Sequence, residues 1–178
     1  MINSQESEDR SKKNDYRTIE QTMEKFSGGT RRLAAQLTTS ASLDSLWNVL
    51  TDYDRLNLYI PNLLSSKKIY QKNNNVHLKQ VGAQDFLGMK FSAEVTIDLF
   101  EEKERGLLKF KLIKGDFRKF EGSWKIQNIK NTSKNSLIYD LTVQGCQWMP
   151  IGMIEKRLKK DLSENLIAVD RQAKSSIK

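Results

Sequence analysis

Between Leu64 and Gly145 the chain is a succession of alternating segments separated by turn chemistry, and this pattern limits the fold more than any other feature. "SSKKIYQK" turns at the triple Asn of 73–75 into "VHLKQVGA", and a loop around "DFLG" leads to "KFSAEVTIDLFEEK". "ERG" then turns into "LLKFKLIK", "GDF" into "RKFEGSWKIQNI", and "KNTSKN" into "SLIYDLTVQG". Six consecutive strands joined by short turns predict an antiparallel meander. Phe91, Ala93, Val95, Ile97 and Leu99 alternate with Ser92, Glu94, Thr96 and Asp98, and Leu108, Phe110 and Leu112 with Lys109 and Lys111. Phe120, Gly122, Trp124 and Ile126 alternate likewise with Lys119, Glu121 and Lys125. One face of the sheet is therefore apolar and the other wet.

The flanks supply what covers that apolar face. "TRRLAAQLTTSA" (30–41) reads as a first strand ending in small polar residues. Ser42 is placed to cap a helix whose buried stripe is Leu43, Leu46, Trp47 and Leu50, with Asp44 favourably sited in its first turn. Thr51 and Asp54 fit a capping box for a second short helix carrying Leu56 and Tyr59 inward, which Pro61 then ends. A long amphipathic helix is predicted from Pro150 to about Lys174. Its inner stripe is Ile151, Ile154, Leu158, Leu162, Leu166 and Val169, with Lys156, Arg157, Lys159, Lys160 and Glu164 mostly opposite. The expected fold is α+β: a curved seven-stranded antiparallel sheet wrapped around a long C-terminal helix, with two short helices after the first strand.

Composition sets the remaining bounds. A chain of 178 residues with 38% hydrophobic content suits one domain with one core. Residues 1–28 read as a disordered tail, and residues 29–175 as the folded domain. The chain's net charge is +8, and within residues 1–27 five basic residues face six acidic ones, so the basic excess belongs to the folded part. That excess favours anionic partners, or simply keeps the surface soluble. "MINSQESEDRSKK" lacks the apolar stretch of a secretory signal, and "LTVQGCQWMPIGMI" is too short and too polar to span a bilayer. A cytoplasmic protein, peripheral to membranes at most, and a monomer are expected. One cysteine, Cys146, and one histidine, His77, provide neither an internal disulfide nor a structural zinc site, so no metal and no cofactor are expected.

A curved sheet of this size is not filled by one helix, and side chains from the sheet, the long helix and the two short helices converge on one space. The expected outcome is an apolar cavity of roughly 300 to 1,000 Å³. The candidate lining from the short helices is Trp47, Leu50, Tyr53 and Tyr59; from the sheet Gln80, Phe91, Val95, Ile97, Phe110, Leu112, Phe120, Trp124 and Tyr139; and from the long helix Ile154, Leu158, Leu162 and Asn165. For any one of them the competing assignment is ordinary core. Gln80, Asn165, Glu155 and Arg118 are the polar groups placed to orient a ligand head group, against the alternative of solvated positions.

The stretches "VLTDYDRLNLYIPNLLSSKKI", "QVGAQDFLGMKFSAEVTIDL", "GDFRKFEGSWKI" and "MPIGMIEKRLKKDLSENLIAVDRQA" resemble the START-like (SRPBCC) superfamily, in its polyketide cyclase and coenzyme-Q-binding family, notably the cyanobacterial and plastid branch. The resemblance covers roughly residues 30–172. It implies a helix-grip fold whose cavity binds hydrophobic small molecules such as lipids, quinones, isoprenoids or polyketides. Members of such a family include carriers and cyclases, and a bacterial relative acts on ribosome association, so the fold alone does not assign the activity.

Catalysis has to be argued from the residues. The inward positions are nearly all apolar, His77 has no neighbouring partner on its strand, and neither a Ser-His-Asp set nor a glycine-rich phosphate loop is present. The reading is non-catalytic transport or sequestration of a hydrophobic ligand. The alternatives are an RNA- or ribosome-associated module, which needs a concentrated lysine stripe with interleaved aromatics, and a cyclase-like enzyme. Lys156, Arg157, Lys159 and Lys160 are the expected contact with an anionic membrane, where Ile60 and Leu63 would touch lipid as the ligand passes.

Overall fold

The computed structural model describes residues 19–86, 89–147, 149 and 151–175. An eight-stranded, wholly antiparallel sheet runs in the order β1-β2-β8-β7-β6-β5-β4-β3. Its strands are β1 (Ile19–Lys25), β2 (Arg31–Thr39), β3 (Leu63–Lys72), β4 (Asn75–Phe86), β5 (Met89–Glu102), β6 (Leu107–Gly115), β7 (Phe117–Asn128) and β8 (Asn135–Gly145). Helix α1 (Leu43–Thr51) and a 3-10 segment (Tyr53–Leu58) follow β2, and helix α2 (Ile151–Ser175) closes the fold. This is the helix-grip arrangement expected from the meander and its flanks.

The strand count differs from expectation by one. β1 lies in the stretch read as a tail and pairs with β2 from Ile19↔Leu37 to Lys25↔Arg31. Its inward face carries the half-buried Ile19 and Met23, which pack against the core, and Gln21 and Lys25, which meet the flank of α2. Gln21 Nε2 donates to the Lys159 carbonyl at 2.7 Å and to Ser163 Oγ at 2.5 Å, while Lys25 Nζ lies 3.2 Å from Glu155 Oε1. Residues 1–18 of the proposed tail, and Pro150 at the proposed helix start, lie outside the described residues.

Register shifts in three strand pairs break the two-residue period of the sheet, at Leu63/Ser65 and Lys68/Tyr70 in β3–β4 and once each in β5–β6 and β7–β8. In β5–β6 the register shifts at Thr96/Ile97, next to Gly115, whose φ of +151° and 2.3 Å approach of an added Cβ to the Glu94 carbonyl leave no room for a side chain. In β7–β8 it shifts between Phe117 and Lys119, so Arg118 is the extra residue and is exposed. Strict alternation would send Phe117 and Phe120 to opposite faces. The bulge lets both face inward.

Helix α1 begins as its sequence predicts, with Ser42 Oγ accepting from the Ser45 amide at 3.1 Å. The second capping box does not form. Thr51 Oγ1 donates back to the Trp47 carbonyl at 2.9 Å, and Asp54 Oδ1 accepts from the Lys68 amide at 2.8 Å, tying the segment to β3 instead. A six-residue 3-10 segment therefore replaces the second α-helix. The core joins the inner faces of β2 and β4 to β8 with Leu46, Trp47, Val49 and Leu50 of α1 and Leu162, Leu166 and Val169 of α2.

Candidate functional site

Between the sheet, the 3-10 segment and α2 lies a cavity of about 290 Å³, at the lower edge of the volume expected. Leu50 and Tyr53 form its end wall, while Gln80, Phe91, Val95, Ile97, Phe110, Phe120, Trp124 and Tyr139 enter from the sheet. Ile154, Leu158, Leu162 and Asn165 enter from α2. Exposed Pro61 and Asn62 are also in the wall, so the cavity reaches the surface beside them.

Three candidates lie elsewhere. Trp47 is buried in the core and is not part of the cavity wall. Tyr59 staples the 3-10 segment to α1, its hydroxyl donating to the Val49 carbonyl at 2.5 Å. Leu112 packs against the core from just beyond the β5–β6 register shift. Glu155 is engaged on the outer flank of α2 by Arg31 at 2.6 Å and by Lys25, which together hold its carboxyl below the usual carboxylate range. Neither Glu155 nor Arg118 lines the cavity.

Aromatic packing gives the sheet wall its shape. Trp124 and Tyr139 stack at 4.0 Å with an interplanar angle of 10°. The Phe110 ring lies 5.7 Å from Phe120 and 6.2 Å from Tyr139. It passes over Gly122, its cross-strand partner, where an added Cβ would meet Phe110 Cζ at 2.9 Å and the Asp140 carbonyl at 2.0 Å. Gly122 is what lets the ring settle on the sheet. His77 stands apart from this wall, 3.7 Å from Asp98 and against the Tyr70 ring at 4.7 Å.

The polar part of the wall was only partly foreseen. Gln80 Nε2 donates to Ser66 Oγ at 3.3 Å, and the Tyr53 hydroxyl donates to Glu101 Oε1 at 2.6 Å. Arg157, assigned to the outside of the long helix, instead turns into the cavity wall, its Nε 3.2 Å from Asp161 Oδ1. Asn62 Nδ2 approaches the same carboxylate oxygen at 3.5 Å. Arg157, Asp161 and Asn165 are spaced by four, which puts them on one stripe of α2 beside Leu158 and Leu162. The signal was in the sequence: stepping back by four and by eight from an inward Asn165 gives Asp161 and Arg157. Burial, then the charge of Asp161, push the Tyr139 hydroxyl well above its ordinary range.

A curved antiparallel sheet gripping a long helix around an apolar cavity defines a helix-grip fold. The chain belongs to the polyketide cyclase / dehydrase and lipid transport family, whose model matches residues 39–170. Solved structures share the fold at low identity. The STAR-related lipid transfer protein from Xanthomonas axonopodis superposes with a TM-score of 0.74 at 11% identity, covering 88% of this chain and 94% of that one. Human StAR-related lipid transfer protein 5 gives 0.72 at 9% identity over 98% of both chains. The Zhui aromatase/cyclase from Streptomyces sp. R1128 gives 0.70 at 15% identity, covering 84% of this chain and 96% of that one. By sequence, no curated protein matches the chain. No helix among the described residues is long and apolar enough to cross a membrane.

Proposed function

We propose that the protein binds a hydrophobic small molecule such as a lipid, quinone or isoprenoid in this cavity, and carries or sequesters it without converting it. The observation that carries the reading is a largely apolar cavity open beside Pro61 and Asn62. The lipid transfer proteins that share the fold support it.

The relatives include an aromatase/cyclase, so the choice rests on proton-transfer groups in the wall. Arg157 and Asp161 are the charged groups among the described lining residues, and they pair with each other. Tyr139 holds its proton more tightly than a free tyrosine. An arginine that does not deprotonate and a tyrosine shifted away from neutrality make a poor acid-base set near pH 7. RNA binding is disfavoured by the sheet's outer face, where Lys79, Lys109, Lys111 and Lys119 each lie within 4 Å of a carboxylate rather than forming a free basic stripe.

Exchange with a bilayer fits the rim. Leu58 and Leu64, which flank Pro61 and Asn62 in the chain, are 68% and 61% exposed, Ile151 is 46% exposed at the start of α2, and Lys156, Lys159 and Lys160 are exposed along the helix. Arg157 is withdrawn from this cluster by its place in the cavity wall. The test is native mass spectrometry of protein purified from its own host, with organic extraction of what accompanies it. A co-purifying hydrophobic molecule near one per chain is expected; a bare chain that also fails to take up a neutral fluorescent probe such as N-phenyl-1-naphthylamine overturns the reading.

A further inference from the structure

Among the described residues, the cavity wall contains an amide oxygen without a hydrogen-bond partner. That oxygen is the buried Asn165 Oδ1, and Arg157 Nε, two turns earlier on the same stripe, likewise makes no hydrogen bond to any described residue despite its proximity to Asp161. Of the other polar wall groups, Gln80 and Tyr53 are engaged by Ser66 and Glu101, and Asn62 by Asp161. A buried acceptor left unmade is costly, and apolar contact alone does not relieve it. Eight residues of helix put Arg157 and Asn165 about 12 Å apart along the axis. Asp161 meets Asn62 beside the opening, and Asn165 lies one turn further along α2.

Charge narrows the ligand further. Arg157 and Asp161 neutralise each other and are the charged members of the described wall. A buried carboxylate or ammonium head would confront one of them without a free counter-charge, and burying an unpaired ion is expensive. A hydroxyl carries no such cost. It donates to an oxygen and accepts from an N–H, which matches the two faces of a carboxamide.

We propose that the cavity selects a neutral amphiphile whose hydroxyl donates to Asn165 Oδ1, its apolar body lying against Phe91, Val95, Phe110 and Trp124. The assignment rests on the cavity being a ligand site, and the test separates the two. N-phenyl-1-naphthylamine is displaced from the full chain by 1-decanol, by methyl nonyl ether, which has similar length and no donor, and by decanoate. Wild-type protein is expected to prefer decanol over both by at least tenfold. In Asn165→Leu the decanol-to-ether preference falls below about threefold while the dye and the ether still bind. The wild-type comparison stands whether or not the variant folds. Equal affinities for the three in wild type overturn the hydroxyl assignment and leave the cavity reading intact; no binding of the dye or of any of the three removes both.

Discussion

Phe110→Ala separates a ligand wall from ordinary core. The ring is 6% exposed and lies within aromatic contact distance of Phe120 and Tyr139. Burying a phenylalanine contributes about 1.5–3 kcal/mol. Two aromatic pairs add about 0.5–1.5 kcal/mol each. The space left behind joins the existing cavity instead of forming a new closed void, so the penalty belongs low in the usual range of about 3–5 kcal/mol for Phe→Ala. A loss of about 3–4 kcal/mol is expected, read by urea denaturation followed by circular dichroism, with a fall in Tm of about 10 °C for a chain of this size. Binding of N-phenyl-1-naphthylamine, measured at a temperature where the variant is folded, should weaken by about tenfold. A variant that loses the expected stability and binds the probe like wild type refutes the ligand wall. A loss below about 1 kcal/mol refutes the packing argument itself.

The Glu155 carboxyl is held low by hydrogen bonds from Arg31 and then Lys25, so its contribution to stability is present above its ordinary value of 4.5 and is lost as pH falls through the lower folded value. Glu155→Gln should flatten that acid limb in urea melts between pH 6 and 3, and an unchanged slope would count against the Arg31 and Lys25 contacts. The hydroxyls of Tyr53, Tyr59 and Tyr139 are raised chiefly by burial, so the folded chain binds more protons than the unfolded one above pH 10 and stability falls as pH rises further. Absorbance at 295 nm should show these three tyrosines ionising only with unfolding; titration of all tyrosines near pH 10 in a chain still folded by circular dichroism would contradict their burial. Reversing the charge of Lys156, Lys159 and Lys160 should reduce low-salt co-sedimentation with anionic vesicles and leave neutral vesicles unaffected, and equal recovery in all cases removes the docking surface.

The architecture was legible because its main elements obey simple periods. Alternation in β4 to β8 and four-residue spacing in α2 report which face each side chain occupies, and the apolar cavity follows from the shortage of one helix to fill a curved sheet. β1 escaped notice because only Ile19 and Met23 on its inner face are apolar, while Gln21 and Lys25 serve polar contacts to α2 that no local pattern announces. Trp47 was placed in the cavity because a helical stripe records inwardness without saying which of two inward directions is taken, toward packed core or toward open space.

The misreadings at the cavity share a physical origin. Phe117 entered the wall because a bulge at Arg118 changed the parity of β7, and that bulge belongs to the register between β7 and β8 rather than to either strand alone. Arg157 entered because Asp161, one turn away, offsets its charge, although each residue taken singly reads as solvent-facing. Both depend on a partner, and both occur where the sheet and helix are held apart rather than packed together. A tightly filled core would favour neither, since a bulge opens the ladder and an ion pair gains less from burial than leucines of similar volume. Their concentration around one space, with Asn165 Oδ1 unbonded beside it among the described residues, supports the proposal of a cavity kept open for an occupant over a core that failed to close.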